Sequence, residues 1–236
     1  MSLLKIPLVL SSAIAVQVAI IPPHSSSTEE LYHRSRLTLC AHKTTYPSHA
    51  LAGLYWVGAL AETAATMARR VDSSKIPLVL RAASEALKTL TDVPITTSFL
   101  VGCGLVISGG FIRWLCYRAL GRYFTFLLCV RQGHRLITTG PYAIVRHPSY
   151  TGMLMMCLGI IILNGSRSSW LRASGVLAKI PGVLPVVIAE TSLCTMVIFG
   201  LFPRMKREDK MMHSTFGEEW EAWAKKVKYR IIPGVY

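Results

Sequence analysis

Five stretches of this chain are apolar enough, over long enough runs, to cross a bilayer, where about 20 residues are needed. They fall at roughly 3–22, 47–68, 95–117, 148–164 and 180–202. The second is interrupted by Glu62 and the fifth holds Pro185 and Glu190. The third contains GCGLVISGG, whose small residues predict close helix–helix approach. The first could be read as a signal peptide, but no convincing small-residue cleavage site follows, so an uncleaved first span is expected. Between spans two and three, Leu80, Ala83, Leu87 and Leu90 share one side of an amphipathic, interfacial helix. The pattern predicts an all-α, polytopic membrane bundle of about five spans with a helical C-terminal tail on the cytosolic face. It reads as one domain over 1–236, with a transmembrane half at 1–117 and a second half at 118–236.

Composition agrees. Only 16% of residues are charged and 52% are hydrophobic, whereas soluble domains carry about 25% charged residues. The net charge of +14 would suggest nucleic acid on a soluble protein. Here no RNA- or DNA-binding motif accompanies it, and basic loops between spans face anionic lipid and set topology. The segment 113–147 holds six Arg and no acid, and 203–236 holds eight Lys or Arg against five acids. With spans four and five as a hairpin, both fall on one side, assigned to the cytosol. The 69–94 loop then falls on the other side with five Lys or Arg, against the rule. The six cysteines form no C-x-x-C pair and mostly lie in apolar runs, so neither a disulfide nor a metal site is expected. KIPLVL occurs at 5–10 and 75–80, too short to argue a repeat.

The chemistry concentrates before span four, in HRLITTGPYAIVRHPSYTG from His134. Gly140-Pro141 and His147-Pro148 mark turns or helix starts, and Pro148 suits the first turn of a helix. Arg146 and His147 lie directly against the apolar run, yet no Asp or Glu occurs between Asp92 and Glu190. Their charge is met by lipid headgroups, by acids of the tail, or by an anionic ligand. On composition alone an interfacial belt with Tyr142 and Tyr150 is the stronger reading. The hairpin brings Arg204, Arg207, Glu208 and Asp209 to the same side. Glu208 could simply pair with Arg204 at i, i+4 on a surface helix, worth a few tenths of a kcal/mol. Glu62 and Glu190 are functional candidates as intramembrane carboxylates, with snorkelling or protonation the preferred reading. Trp220, Trp223 and Val227 share a helical face better suited to packing than to a cofactor.

HRLITTGPYAIVRHPSYTG together with the tail RMKREDKMMHSTFGEEWEAWAKKVKYRIIPG resembles the two-part signature of the isoprenylcysteine carboxyl methyltransferase family. The tail pattern is an Arg four residues before an acidic pair, then FG, then spaced aromatics: Arg204, Glu208, Asp209, Phe216, Gly217, Trp220 and Trp223. The likeness covers about residues 130–236. It implies a multi-pass enzyme of the endoplasmic reticulum membrane. That enzyme would move a methyl group from S-adenosylmethionine to the carboxylate of a C-terminal prenylated cysteine, on a protein or a small prenylcysteine. By motif position the cofactor contacts would be His134, Arg135, Leu136, Ile137, Tyr142, His147, Pro148, Ser149, Tyr150 and Glu208. Arg204 would hold the substrate carboxylate, with Arg204 and Glu208 as the catalytic pair. Three departures stand: Glu-Asp replaces Glu-Glu, the spaced aromatics are Trp rather than Tyr, and the family's upstream Gln has no counterpart, since Gln132 lies only two residues before His134.

Two rival resemblances remain. Phospholipid N-methyltransferases share a GPY…RHP-x-Y pattern and the acidic pair. The ending KYRIIPGVY resembles the ends of membrane sterol reductases, which use NADPH, but those are longer and read Asn-Tyr then Gly-Asp where this chain has Ser149-Tyr150 and Gly152-Met153. A noncatalytic protein keeping the scaffold is a third reading.

Overall fold

In a computed structural model, residues 3–21, 45–72, 77–90, 93–126, 128, 130 and 133–236 are described. Cys40, Cys129, Gln132 and the start of the second KIPLVL lie outside them. All five predicted runs are helices: α1 (Lys5–Ile20), α2 (Thr45–Ala68), α4 (Thr97–Leu120), α5 (Pro148–Gly165) and α6 (Val183–Phe216). The amphipathic stretch forms α3 (Leu78–Lys88), and α7 (Glu218–Lys226) follows α6 after Gly217. On α3 Leu87 is half-buried, as is Leu90 just past its end, but Leu80 and Ala83 are exposed and Ser84 is the buried residue, a narrower inner face than expected.

Among the described residues, three helical stretches are long and apolar enough to cross a membrane: Thr97–Tyr123, Pro148–Ala173 and Val183–Phe216. Lys5–Ile20 is apolar but shorter. The fifth predicted run ends near 202, where polar residues begin, yet α6 continues through Pro203 to Phe216. The change of hydropathy there marks where the helix leaves apolar surroundings rather than where it stops.

The core forms where α1, α4, α5 and α6 meet, with Ala15, Val16, Ala19, Val106, Met156, Cys157, Ile160 and Cys194 buried together. α4 and α5 pack backbone to backbone. A Cβ on Gly159 would come 2.7 Å from the Gly102 carbonyl oxygen, so the small residues do permit close approach. The four described cysteines, Cys103, Cys116, Cys157 and Cys194, are buried and free.

Glu62 and Glu190 have partners inside the protein, which corrects snorkelling, one of the two readings expected for them. The Lys5 ammonium lies 2.6 Å from Glu62 Oε1 and donates to the Val93 carbonyl at 3.1 Å. The Asn164 amide donates to Glu190 at 3.1 Å. Neither pairing is visible locally, because Lys5 and Asn164 come from other helices.

Candidate functional site

The first element of the site is a turn that the sequence encodes openly. Gly140 takes φ 62°, a conformation natural to glycine, and opens a 3-10 turn, Gly140–Ala143, with Pro141 at its start. The chain turns again at Ile144 and enters α5 at Pro148. Here it pairs with the C-terminal segment. The Arg146 amide donates to the Tyr229 carbonyl at 2.9 Å and the His147 amide to that of Arg230 at 2.7 Å. The Thr151 hydroxyl donates to the Ile231 carbonyl at 2.7 Å.

Asp209, on α6, supplies the anion that the arginine-rich stretch lacks. His147 Nε2 donates to its Oδ1 at 2.8 Å, while Arg230 Nε and Arg146 Nη1 reach its Oδ2 at 3.1 and 3.4 Å. Asp209 and His147 are both buried. Burial pulls the Arg146 guanidinium below its usual value; Asp209 opposes that shift and Arg230 adds to it. Arg146 and His147 are therefore not mere interfacial anchors, since they are tied to a tail carboxylate more than sixty positions away.

One turn further along α5, Tyr150 stacks on the His147 ring, with centroids 5.4 Å apart and planes 10° from parallel. Its hydroxyl donates to Glu208 Oε2 and accepts from Arg204 Nε at 2.7 Å. Tyr150 thus stands between Arg204 and Glu208, in place of the simple i, i+4 ion pair. Arg204 Nη2 donates to the Phe126 carbonyl, and Nη1 is left uncommitted among the described residues. Glu208 keeps a second oxygen 4.0 Å from His147 Nδ1, beyond hydrogen-bond reach, on a side chain 31% exposed.

These groups line a cavity of about 360 Å³, within the range of about 300–1,000 Å³ typical of small-molecule sites. Of the residues singled out in the sequence, His134, Leu136, Ile137, Tyr142, His147, Ser149, Tyr150, Arg204 and Glu208 line it. Arg135 is exposed and Pro148 is buried, and neither reaches the wall. His134 stacks on Tyr123 at 4.7 Å and meets Phe216 edge-on at 5.7 Å. Burial pushes the Tyr142 phenol well above its usual range, so it stays neutral. Trp220 and Trp223, expected to be packing residues, form part of the wall. Trp223 Nε1 donates to the Tyr142 carbonyl at 3.2 Å. Trp223→Phe keeps the ring and loses that donor; it should cost about 1 kcal/mol, read from thermal melts in detergent, and an unchanged melting temperature would remove the bond from this account.

Arg113 is a wall residue that sequence reasoning missed. It is 3% exposed. Its Nε donates to the Ala19 carbonyl at 2.8 Å and Nη1 to Ser149 Oγ at 3.0 Å. The signal was a lone arginine within a spanning run, which is by default a functional candidate. Arg230 was missed because it carries no local pattern.

The long apolar helices make this a multi-pass α-helical membrane protein. Residues 100–180 match the isoprenylcysteine carboxyl methyltransferase family, a stretch that includes Arg113 and the whole of GPYAIVRHPSYTG but stops short of the tail. The chain is 30% identical over 130 residues to a probable protein-S-isoprenylcysteine O-methyltransferase of Oryza sativa, covering 54% of this chain and 57% of that protein. It is 28% identical over 127 residues to the protein-S-isoprenylcysteine O-methyltransferase of Schizosaccharomyces pombe, covering 52% and 45%. It is also 33% identical over 106 residues to a delta(14)-sterol reductase of Methylotuvimicrobium alcaliphilum, covering 45% and 20%. These matches support the isoprenylcysteine carboxyl methyltransferase family; the chain spans about half the length of the methyltransferases it matches.

Proposed function

We propose that this chain is a carboxyl O-methyltransferase of the endoplasmic reticulum membrane that methylates the C-terminal carboxylate of a prenylated cysteine, with S-adenosylmethionine as donor. The observation that carries this reading is the placement of Arg204. It lines the cavity with one edge tied to Tyr150 and Phe126 and with Nη1 uncommitted among the described residues, beside an apolar wall that includes Met153, Val197 and Leu201. A guanidinium suits a carboxylate, and the apolar wall suits a hydrocarbon chain.

The donor set fits S-adenosylmethionine. Glu208 offers an open oxygen to an ammonium or to ribose hydroxyls, and His134, Tyr142, His147 and Tyr150 bring rings to the wall. Arg135 and Pro148 would contribute through the backbone they set, since their side chains do not line the cavity. When bound, the cofactor supplies an electrophilic methyl group on a sulfonium. The acceptor carboxylate is already ionised at neutral pH, so no residue need remove a proton from it. The work left to the chain is to orient the carboxylate through Arg204 and to exclude water.

Arg204→Ala should lower kcat/KM for a prenylcysteine acceptor by about 100-fold or more while weakening S-adenosylmethionine binding far less. Calorimetry and a methyl-transfer assay on the purified protein separate the two, and equal loss of both would remove Arg204 from the carboxylate role. The sterol reductase likeness makes NADPH the second ligand to titrate. Binding of NADPH alone would move the protein to that reaction class. Methylation of an aminolipid instead of a prenylcysteine would favour the phospholipid N-methyltransferase reading, in which an amine must first lose its proton.

A further inference from the structure

A second and larger cavity, of about 650 Å³, lies at the opposite ends of α5 and α6. Asn164 on its wall is fourteen residues beyond Tyr150, which is about 21 Å along α5. The proposed methyl-transfer chemistry does not use it. Its walls are mainly apolar, with Val9, Leu54, Phe99, Leu163 and Val187 among them. The hydroxyls of Thr96, Ser98, Ser166 and Ser168 also line it, but they are hydrogen-bonded to one another at 2.9–3.4 Å.

Two carboxylates border this space and they differ. Glu62 is neutralised by the buried Lys5 ammonium at 2.6 Å. Glu190 receives one hydrogen bond, from the Asn164 amide, and among the described residues it has no cationic partner. A carboxylate in apolar surroundings is costly to ionise unless a positive charge meets it. Of the two carboxylates, Glu190 is therefore the one still lacking a positive partner among the described residues, and an ammonium is the group that would let it ionise there. A fatty acid or a phosphate head would bring like charge to Glu62 and Glu190, and a plain acyl chain would leave Glu190 unmet.

We propose that this cavity binds a single-chain lipophilic amine, its ammonium on Glu190 and its hydrocarbon along the apolar wall. The inference stands apart from the methyltransferase reading. The test is binding of radiolabelled dodecylamine and dodecanol to the full chain in phosphatidylcholine nanodiscs, corrected for empty nanodiscs. The amine should bind saturably, with an affinity exceeding that of the alcohol by more than about tenfold. Glu190→Gln should remove that preference and leave the alcohol unchanged. Gly58 lines the cavity, and a Cβ there would meet nothing within 4 Å. Gly58→Phe should therefore narrow the space at little cost to the fold and weaken binding of both. Equal affinity for amine and alcohol would show a general acyl-chain cavity and overturn the proposal. So would an unaltered preference in Glu190→Gln, amine binding that Gly58→Phe leaves unweakened, or no saturable amine binding. Should Glu190→Gln fail to fold, the amine-over-alcohol preference of the native chain and the weakened amine binding in Gly58→Phe decide the matter.

Discussion

Asp209→Ala should destabilise the protein by about 3–5 kcal/mol and disorder the entrance to α5. The Asp209 side chain is 11% exposed and meets three basic groups: His147 at 2.8 Å, Arg230 at 3.1 Å and Arg146 at 3.4 Å. Removing the anion leaves two guanidiniums facing each other in a half-buried place, and the His147 ring loses the contact that fixes it against Tyr150. The loss therefore spreads from stability to the cavity wall. Asp209→Asn keeps the shape and can still accept from His147, so it should fall between the native chain and Asp209→Ala. Denaturant melts in detergent read the first effect, and ligand titrations on the still-folded fraction read the second. A cost below about 1 kcal/mol would equate the cluster with an ordinary exposed ion pair and sink this account.

Gly152→Val should cost about 3 kcal/mol or more, the upper end of what overpacking does. The new Cβ would sit 2.6 Å from the Gly109 carbonyl oxygen and 2.9 Å from Arg113 Cγ. One of these obstacles is backbone, so no rotamer change relieves it, and α4 and α5 must separate. Separation also pulls Arg113 away from Ser149, which lies one turn before Gly152. Gly104→Val on α4 is the matched control, because a Cβ there meets nothing within 4 Å, and it should change stability by no more than about 0.5 kcal/mol. Similar melts for the two variants would mean that the close crossing of α4 and α5 does not hold the fold.

How much of this was legible beforehand depended on distance along the chain. Each of the five apolar runs announced a helix, because hydropathy and helix geometry are local properties. The 140–152 stretch and the 204–223 stretch each carried their own punctuation, and the hairpin of spans four and five was enough to bring them together. What could not be read was who pairs with whom. Asp209 stood in the sequence only as the second residue of an acidic pair, and it is the hub because Arg146, His147 and Arg230 converge on it from two separate segments. Lys5 and Glu62 looked like unrelated charges in two greasy runs, and each is the other's reason for being tolerated there. Arg204 and Glu208 suggested a direct pair from their spacing, but Tyr150 comes in from α5 and separates them.

α6 has one more consequence. Its 34 residues make a rod about 51 Å long, whereas the hydrocarbon of a bilayer is about 30 Å thick. Glu190 sits toward one end of that rod and the Arg204–Asp209 cluster toward the other, on one continuous helix. The rod acts as a depth gauge: with its apolar part immersed, the Arg204–Asp209 cluster is held at headgroup level. A thicker bilayer would draw that cluster toward the oil and a thinner one would lift it into water. The acyl-chain length of the host membrane thereby becomes a control on the site, acting without touching any residue in it.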